Sequence, residues 1–140
     1  MKQAKQNRKQ KKEYYDNDRK HQLKLTQQVF NQYVRVRDMG RQCISCDKPD
    51  NGTHQRHASH YRPATHQQLR FNELNCHSSC QQCNTTKSGN LTEYRPRLIA
   101  KIGEDKVIWL ESKQPGYKYT LDDLKEIREY YKSKINELKG

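Results

Sequence analysis

Apolar residues are scarce in this chain. Only 31% of its 140 residues are hydrophobic, with a single Trp and two Phe. An ordinary globular domain has about 45–50%. Mean hydropathy is −1.38. A core this small seldom holds a fold unaided, so a structural metal fits the deficit. No stretch approaches the ~20 apolar residues that span a bilayer. The N-terminus is polar and lacks the apolar run of a secretory signal. Acid is scarce as well: 16 Asp and Glu face 28 Lys and Arg, a formal net charge of +12 at pH 7. Such a surplus attracts polyanions. Nucleic acid is the leading partner, ahead of an acidic protein or a membrane surface, and charge alone does not separate DNA from RNA.

Five cysteines are present, an odd number that suits a disulfide scaffold poorly. Four fall into two C-x-x-C knuckles, Cys43-Ile44-Ser45-Cys46 and Cys80-Gln81-Gln82-Cys83. Random cysteines rarely take that spacing, and four thiolates close a tetrahedral zinc site. A closed site makes the zinc structural; redox use of either pair is the alternative. A reduced, cytoplasmic metal protein is therefore expected. Cys76 is left over, as a small buried thiol or a further ligand.

The segment between the knuckles is long enough to carry structure of its own. It contains His54, His57, His60, His66 and His77, five of the six histidines in the chain. Solvated or core histidines account for some of these, but poorly for all five. Neutral imidazole is the side chain best poised near pH 7 to take a proton from water. Phosphodiester hydrolysis needs such a base and a cation beside the phosphate. An amide oxygen can hold a magnesium ion that keeps most of its water. His60 and Asn84 supply these two groups, Asn84 directly after the last cysteine of the knuckles.

Along the chain, residues 1–22 read as a basic arm, disordered or partly helical, that either contacts phosphate or is merely solvated. A single domain over 23–140 follows, with a core at 41–90 and C-terminal helices at 91–140. Apolar spacing predicts a helix over 23–39, stopped by Gly40. Asn51-Gly52 signals a turn. A short strand over 53–57 is expected to pair with 69–71 as a hairpin. A helix over 81–87 follows the second knuckle. Asn90 caps a helix over 91–102, with Pro96 shifting its start toward Arg95 and Gly103 closing it. Val107-Ile108-Trp109-Leu110 is read as helical. Thr120 caps the last helix, whose apolar face is Leu124, Ile127, Tyr131, Ile135 and Leu138. That face packs on the domain or on a partner helix.

The order of C-x-x-C, His, Asn and a second C-x-x-C followed at once by a metal-ligand residue resembles the HNH, or His-Me finger, nucleases. In many of them the last part reads N-x4-C-x-x-C-H, which Asn75, Cys80, Cys83 and Asn84 match with Asn in the final place. Asn there resembles the endonuclease VII-like subgroup, whose base lies in D-x-x-H; the corresponding stretch is His57-Ala58-Ser59-His60. From about residue 25 to 138 the chain also resembles the phage recombination NinG (Rap) family. The segments YVRVRDMGRQCISC, SHYRPA, LRFNELNCHSSCQQCNTTKSGN, EYRPRLI and YTLDDLKEI carry that resemblance.

These resemblances imply an α+β fold with a zinc-stapled ββα-metal core and flanking helices. They imply a metal-dependent DNA endonuclease of phage recombination, working in the host cytoplasm. It would cleave branched double-stranded DNA, such as Holliday junctions and D-loops, with structural zinc and one catalytic Mg²⁺ or Mn²⁺. By position, His60 is the general base, Asn84 the ligand of the catalytic metal, and Asn75 the residue that orders the loop and orients the base. His57 stands where Asp is usual, as a second metal ligand. It brings no charge and favours softer ions such as manganese, nickel or zinc. His77 is a phosphate contact or a structural residue, and Lys87 a phosphate contact or a solvated lysine. Symmetric cutting of a four-way junction needs two active sites, which a homodimer would provide; no membrane partner is expected. The alternative is a non-catalytic, zinc-containing DNA-binding protein.

Overall fold

The computed structural model describes residues 2–50, 55–86 and 90–140. Asn51, Gly52, Thr53, His54 and Lys87 lie outside the described residues. Helices α1 (Lys2–Asn17) and α2 (Arg19–Arg37) meet at Asp18. The Asp18 carboxylate accepts from the Lys20 and His21 backbone N–H groups at 3.1 and 3.3 Å, a cap that starts α2. So α2 begins four residues before the expected start at 23, and α1 occupies most of the basic arm. The described side chains of α1 from Ala4 to Tyr14 are exposed.

Gln22, Thr26, Phe30, Tyr33 and Val34 recur at helical spacing and form the buried face of α2. Against it packs α5 (Leu121–Lys139), through Leu124, Tyr131 and Ile135. Phe30 and Tyr131 meet edge to face with centroids 4.9 Å apart. Thr26 Oγ1 donates to the Leu124 carbonyl at 3.1 Å and ties the two helices. Thr120 and Asp123 form a capping box at the start of α5. Leu138, expected on the apolar face, is exposed.

The only sheet among the described residues is an antiparallel ribbon of β1 (Arg56–His60) and β2 (Cys76–Cys80). The expected partner of β1 was 69–71; instead Gln67–Leu69 is a 3₁₀ turn in the loop between the strands. Leu69 and Phe71 are both buried, but in different clusters. Phe71 joins the α2/α5 core, while Leu69 joins a second core with Tyr61, Tyr94, Leu98, Val107 and Leu110. Their apolar alternation therefore marks a loop wedged between two cores, not a strand. In place of an α-helix over 81–87, a π-helical turn spans Gln82–Thr86.

Helix α3 (Leu91–Ile102) and helix α4 (Glu104–Glu111) build the second core. The helix expected to begin near Arg95 runs from Leu91, straight through Pro96. Tyr94 anchors its first turn, fully buried and donating its hydroxyl to the Ser59 carbonyl at 2.7 Å. The carbonyl that Pro96 leaves without its helical donor belongs to Thr92, which is exposed to water. Gly103, at φ +95°, separates α3 from α4 in a conformation that favours glycine.

Candidate active site and metal centre

The four knuckle cysteines converge. One sulfur from each of Cys43, Cys46, Cys80 and Cys83 lies within 4.8 Å of every other. A tetrahedral site with Zn–S near 2.3 Å spaces its sulfurs about 3.8 Å apart. Cys46 and Cys80 are already at 3.8 Å. The donor set fits a metal such as zinc and leaves no protein position open for chemistry. Backbone pairing sets this convergence. The Ile44 N–H donates to the Ser78 carbonyl at 3.0 Å, laying the first knuckle on β2. The Ser45 N–H lies 3.4 Å from Cys43 Sγ, and Asn90 Nδ2 lies 3.8 Å from Cys83 Sγ. Asn90 thus turns toward the knuckles and does not cap α3 with its side chain. Burial raises the Cys83 thiol, and hydrogen bonds with neighbouring thiols help push it up to about 12. At Cys80 burial acts upward too, but bonds from Cys83, Cys43 and Cys46 prevail and bring it down to about 7.

His60 ends β1, opposite Cys76. Its Nε2 lies 3.0 Å from the Arg70 carbonyl. A carbonyl only accepts, so Nε2 carries the proton and Nδ1 keeps its lone pair. Burial lowers the His60 pKa below its ordinary 6.5, partly opposed by the Arg70 carbonyl, so the ring is neutral at pH 7. Asn75 lies beneath the loop, fully buried. Its Oδ1 accepts from the Arg62 N–H at 2.8 Å, and its Nδ2 donates to the Arg62 and Leu69 carbonyls at 2.9 and 3.2 Å. The residue after Leu69 is Arg70, so Asn75 fixes the segment whose carbonyl fixes His60.

His57 pairs with Ser79 across the ribbon. Strand side chains alternate, so His57 and His60, three apart, lie on opposite faces. His57 Nε2 and Ser79 Oγ are both buried and without a hydrogen-bond partner. Asn84 lies half-buried in the π-helical turn. β2 carries the chain about 13 Å from Cys76 to Cys80, so His60 and the second knuckle sit at opposite ends of the ribbon. His77, expected as a phosphate contact or a structural residue, lies in β2 on the same face of the ribbon as His57. Its ring is buried, with Nε2 donating to the Leu74 carbonyl at 2.8 Å and Nδ1 accepting from Lys101 Nζ at 2.8 Å. Neither nitrogen is left for a phosphate. Burial first, then the Lys101 charge, pushes its pKa down to about 3.

Sequence reasoning missed the polar cluster around His77. Asp38 is buried and accepts from Arg37 at 2.9 Å, Lys101 at 3.1 Å and the Ser78 N–H at 3.0 Å. Burial raises its pKa, but Arg37 and then Lys101 prevail and hold it well below the usual carboxylate range. The cluster joins α2, β2 and α3. Its partners are far apart in the chain, and no local pattern announces them. Arg70 was missed for a similar reason: its working group is a backbone carbonyl, which no side-chain motif reveals.

The family model described as Bacteriophage Lambda NinG protein matches residues 1–140. The "Protein ninG" of Escherichia phage lambda is 40% identical over 123 residues, covering 87% of this chain and 59% of that protein. The "Protein ninG" of Escherichia phage 933W is 38% identical over 123 residues, covering 87% of this chain and 60% of its own length. That of Salmonella phage P22 is 39% identical over 122 residues, covering 86% and 59%. The chain thus spans about 60% of the length of the relatives it matches. No solved structure matches it. No described helix is long and apolar enough to cross a membrane.

Proposed function

The chain belongs to the NinG family, and we propose that it is a metal-dependent, structure-selective endonuclease acting on branched double-stranded DNA in phage recombination. The observation that carries this reading is the fixed, neutral ring of His60. With Nε2–H engaged by the Arg70 carbonyl at 3.0 Å, Nδ1 is the free basic atom. In the proposed step Nδ1 takes a proton from water as the water oxygen approaches phosphorus. Asn75 is a positioning residue, acting through the loop that carries Arg70.

The order of strand, loop, strand, knuckle and helical turn supports a His-Me finger core. The Asn84 amide oxygen is a hard ligand suited to Mg²⁺ or Mn²⁺. When bound, such an ion balances charge on the phosphate and assists the departing oxygen. His57, with an unpartnered Nε2 on the other face of the ribbon from His60, is the second candidate ligand; it would favour Mn²⁺ over Mg²⁺ only if it shared that ion. Lys87 is assigned to the scissile phosphate. Symmetric incision of a four-way junction would take two copies of the chain.

One observation favours a second reading, a zinc-containing DNA-binding protein without catalysis. His57 stands in the place of the usual carboxylate, on the face of the ribbon away from His60. A labelled four-way junction incubated with Mg²⁺ or Mn²⁺, beside an EDTA control, separates the two. Nicks that require the divalent ion are expected. Tight binding without cleavage in either metal would favour the second reading.

A further inference from the structure

A basic cleft opens beside the first knuckle, with a volume of about 410 Å³. Arg41 comes from the turn after α2, Gln42 and Ile44 from the start of the knuckle, and Arg97 and Lys101 from α3. Arg97 and Lys101 are four apart, so they share one face of that helix. The Lys101 ammonium bonds Nδ1 of His77, in β2, at 2.8 Å. His77 pairs with Ser59, next to His60 in β1. Alternation then puts His77, and with it the Lys101 side of the cleft, on the face of the ribbon opposite His60.

The cleft is short of negative charge. Arg41, Arg97 and Lys101 are its lining cations, and Asp38 and Asp47 are the acids that pair with Lys101 and Arg97. Asp38 is buried and already shared by Arg37 and Lys101. Asp47 pairs with Arg97 at 2.7 Å but its side chain is 82% exposed, so this pair is weak and easily displaced. Arg41 is exposed and has no ion pair among the described residues. Burial, and then the neighbouring charges of Arg37 and Arg41, lower the Lys101 pKa despite Asp38.

We propose that this cleft takes a backbone phosphate from a second arm of the branched DNA, on the opposite side of the ribbon from His60. The inference rests on the endonuclease reading above and gives it a means of telling a branch from a linear duplex. A straight duplex laid against His60 cannot also reach round the ribbon; a junction offers a second helix that can. Arg41 and Arg97 would carry the contact, with Lys101 setting the potential in the cleft.

The test is equilibrium binding in EDTA, where no cleavage occurs, to a four-way junction and to a linear duplex across a salt series. The wild type is compared with the double variant Arg41→Gln/Arg97→Gln. Each phosphate contact contributes about 0.9 to the slope of log affinity against log salt. The junction slope is expected to shrink by about 2, with the linear slope unchanged. Zinc content and melting temperature check the fold. Should the double variant lose either, Arg41→Gln alone is read, with an expected change of about 1. An unchanged junction slope, or an equal loss on both DNAs, overturns the proposal. Failure of the wild type to cleave in any metal would instead sink the endonuclease reading, and the binding difference would still be measurable.

Discussion

The Asn75 carboxamide engages both backbone groups of Arg62: it accepts from the N–H at 2.8 Å and donates to the carbonyl at 2.9 Å. A third bond reaches the Leu69 carbonyl, inside the protein. Asn75→Ala would leave the Arg62 N–H and carbonyl without a partner, while the Leu69 carbonyl keeps the Asn72 N–H at 3.2 Å. Buried orphans cost about 1–3 kcal/mol each, and some will find water. A destabilisation of roughly 2–4 kcal/mol in urea unfolding is expected. Because the same loop carries the Arg70 carbonyl, kcat should fall more than KM rises. Wild-type stability in the variant would remove Asn75 from this role.

His60→Ala should abolish nicking of branched DNA while zinc content and melting temperature stay near wild type. Losing a general base lowers rates by about 10²–10⁴-fold. The pH profile has a definite sign. Burial lowers the His60 pKa below 6.5, so the ring resists protonation. The wild-type rate should be level just above pH 6.5 and fall only on the acid side of it. Full cleavage by His60→Ala would exclude this imidazole as the base.

Local pattern made much of this molecule readable. Helical spacing revealed α2 and α5, and Thr120 with Asp123 announced the start of α5. Paired cysteine spacing anticipated the sulfur cluster. The failures came where distant parts decide local structure. Cys76–Cys80, reading CHSSC, has little strand propensity; pairing with β1 and anchoring at Cys80 make it a strand. Leu69 and Phe71 alternate like a strand because they serve two different cores. The Asp38–Lys101 pair, like the Arg70 carbonyl against His60, depends on packing that one sequence does not display.

If the four cysteines hold zinc, as their convergence fits, removing it should unfold the region around the ribbon. Structural zinc binds small domains with apparent free energies of about 10–16 kcal/mol, as large as whole-domain stabilities of about 5–15. Cys83→Ser is expected to lose the ion and the ordered hairpin together, seen as a fall in bound metal and in hydrogen-exchange protection of β1 and β2. Wild-type protein should carry one zinc per chain by elemental analysis. A metal-free Cys83→Ser protein with a protected hairpin would show that the cysteines do not staple this fold.

Acid should weaken the protein earlier than its carboxylates alone would require. In the native state His77 titrates near 3, against an ordinary 6.5. Between those values the unfolded chain binds a proton at His77 that the native chain refuses. Stability therefore falls as pH drops below 6.5, at up to about 1.4 kcal/mol per pH unit. Asp38 adds a loss of the same sign only at lower pH. Its native pKa lies below its ordinary 3.8, so its contribution is whole above 3.8 and fades beneath it. Thiolates holding a metal would protonate in acid as well and add to the wild-type curve. His77→Gln supplies the control. Its amide can donate to the Leu74 carbonyl and accept from Lys101, yet it does not titrate. Relative to its deficit at pH 7, the variant should gain about 2 kcal/mol on wild type by pH 5. Parallel stability curves for the two proteins would mean that His77 is not the buried neutral group described here.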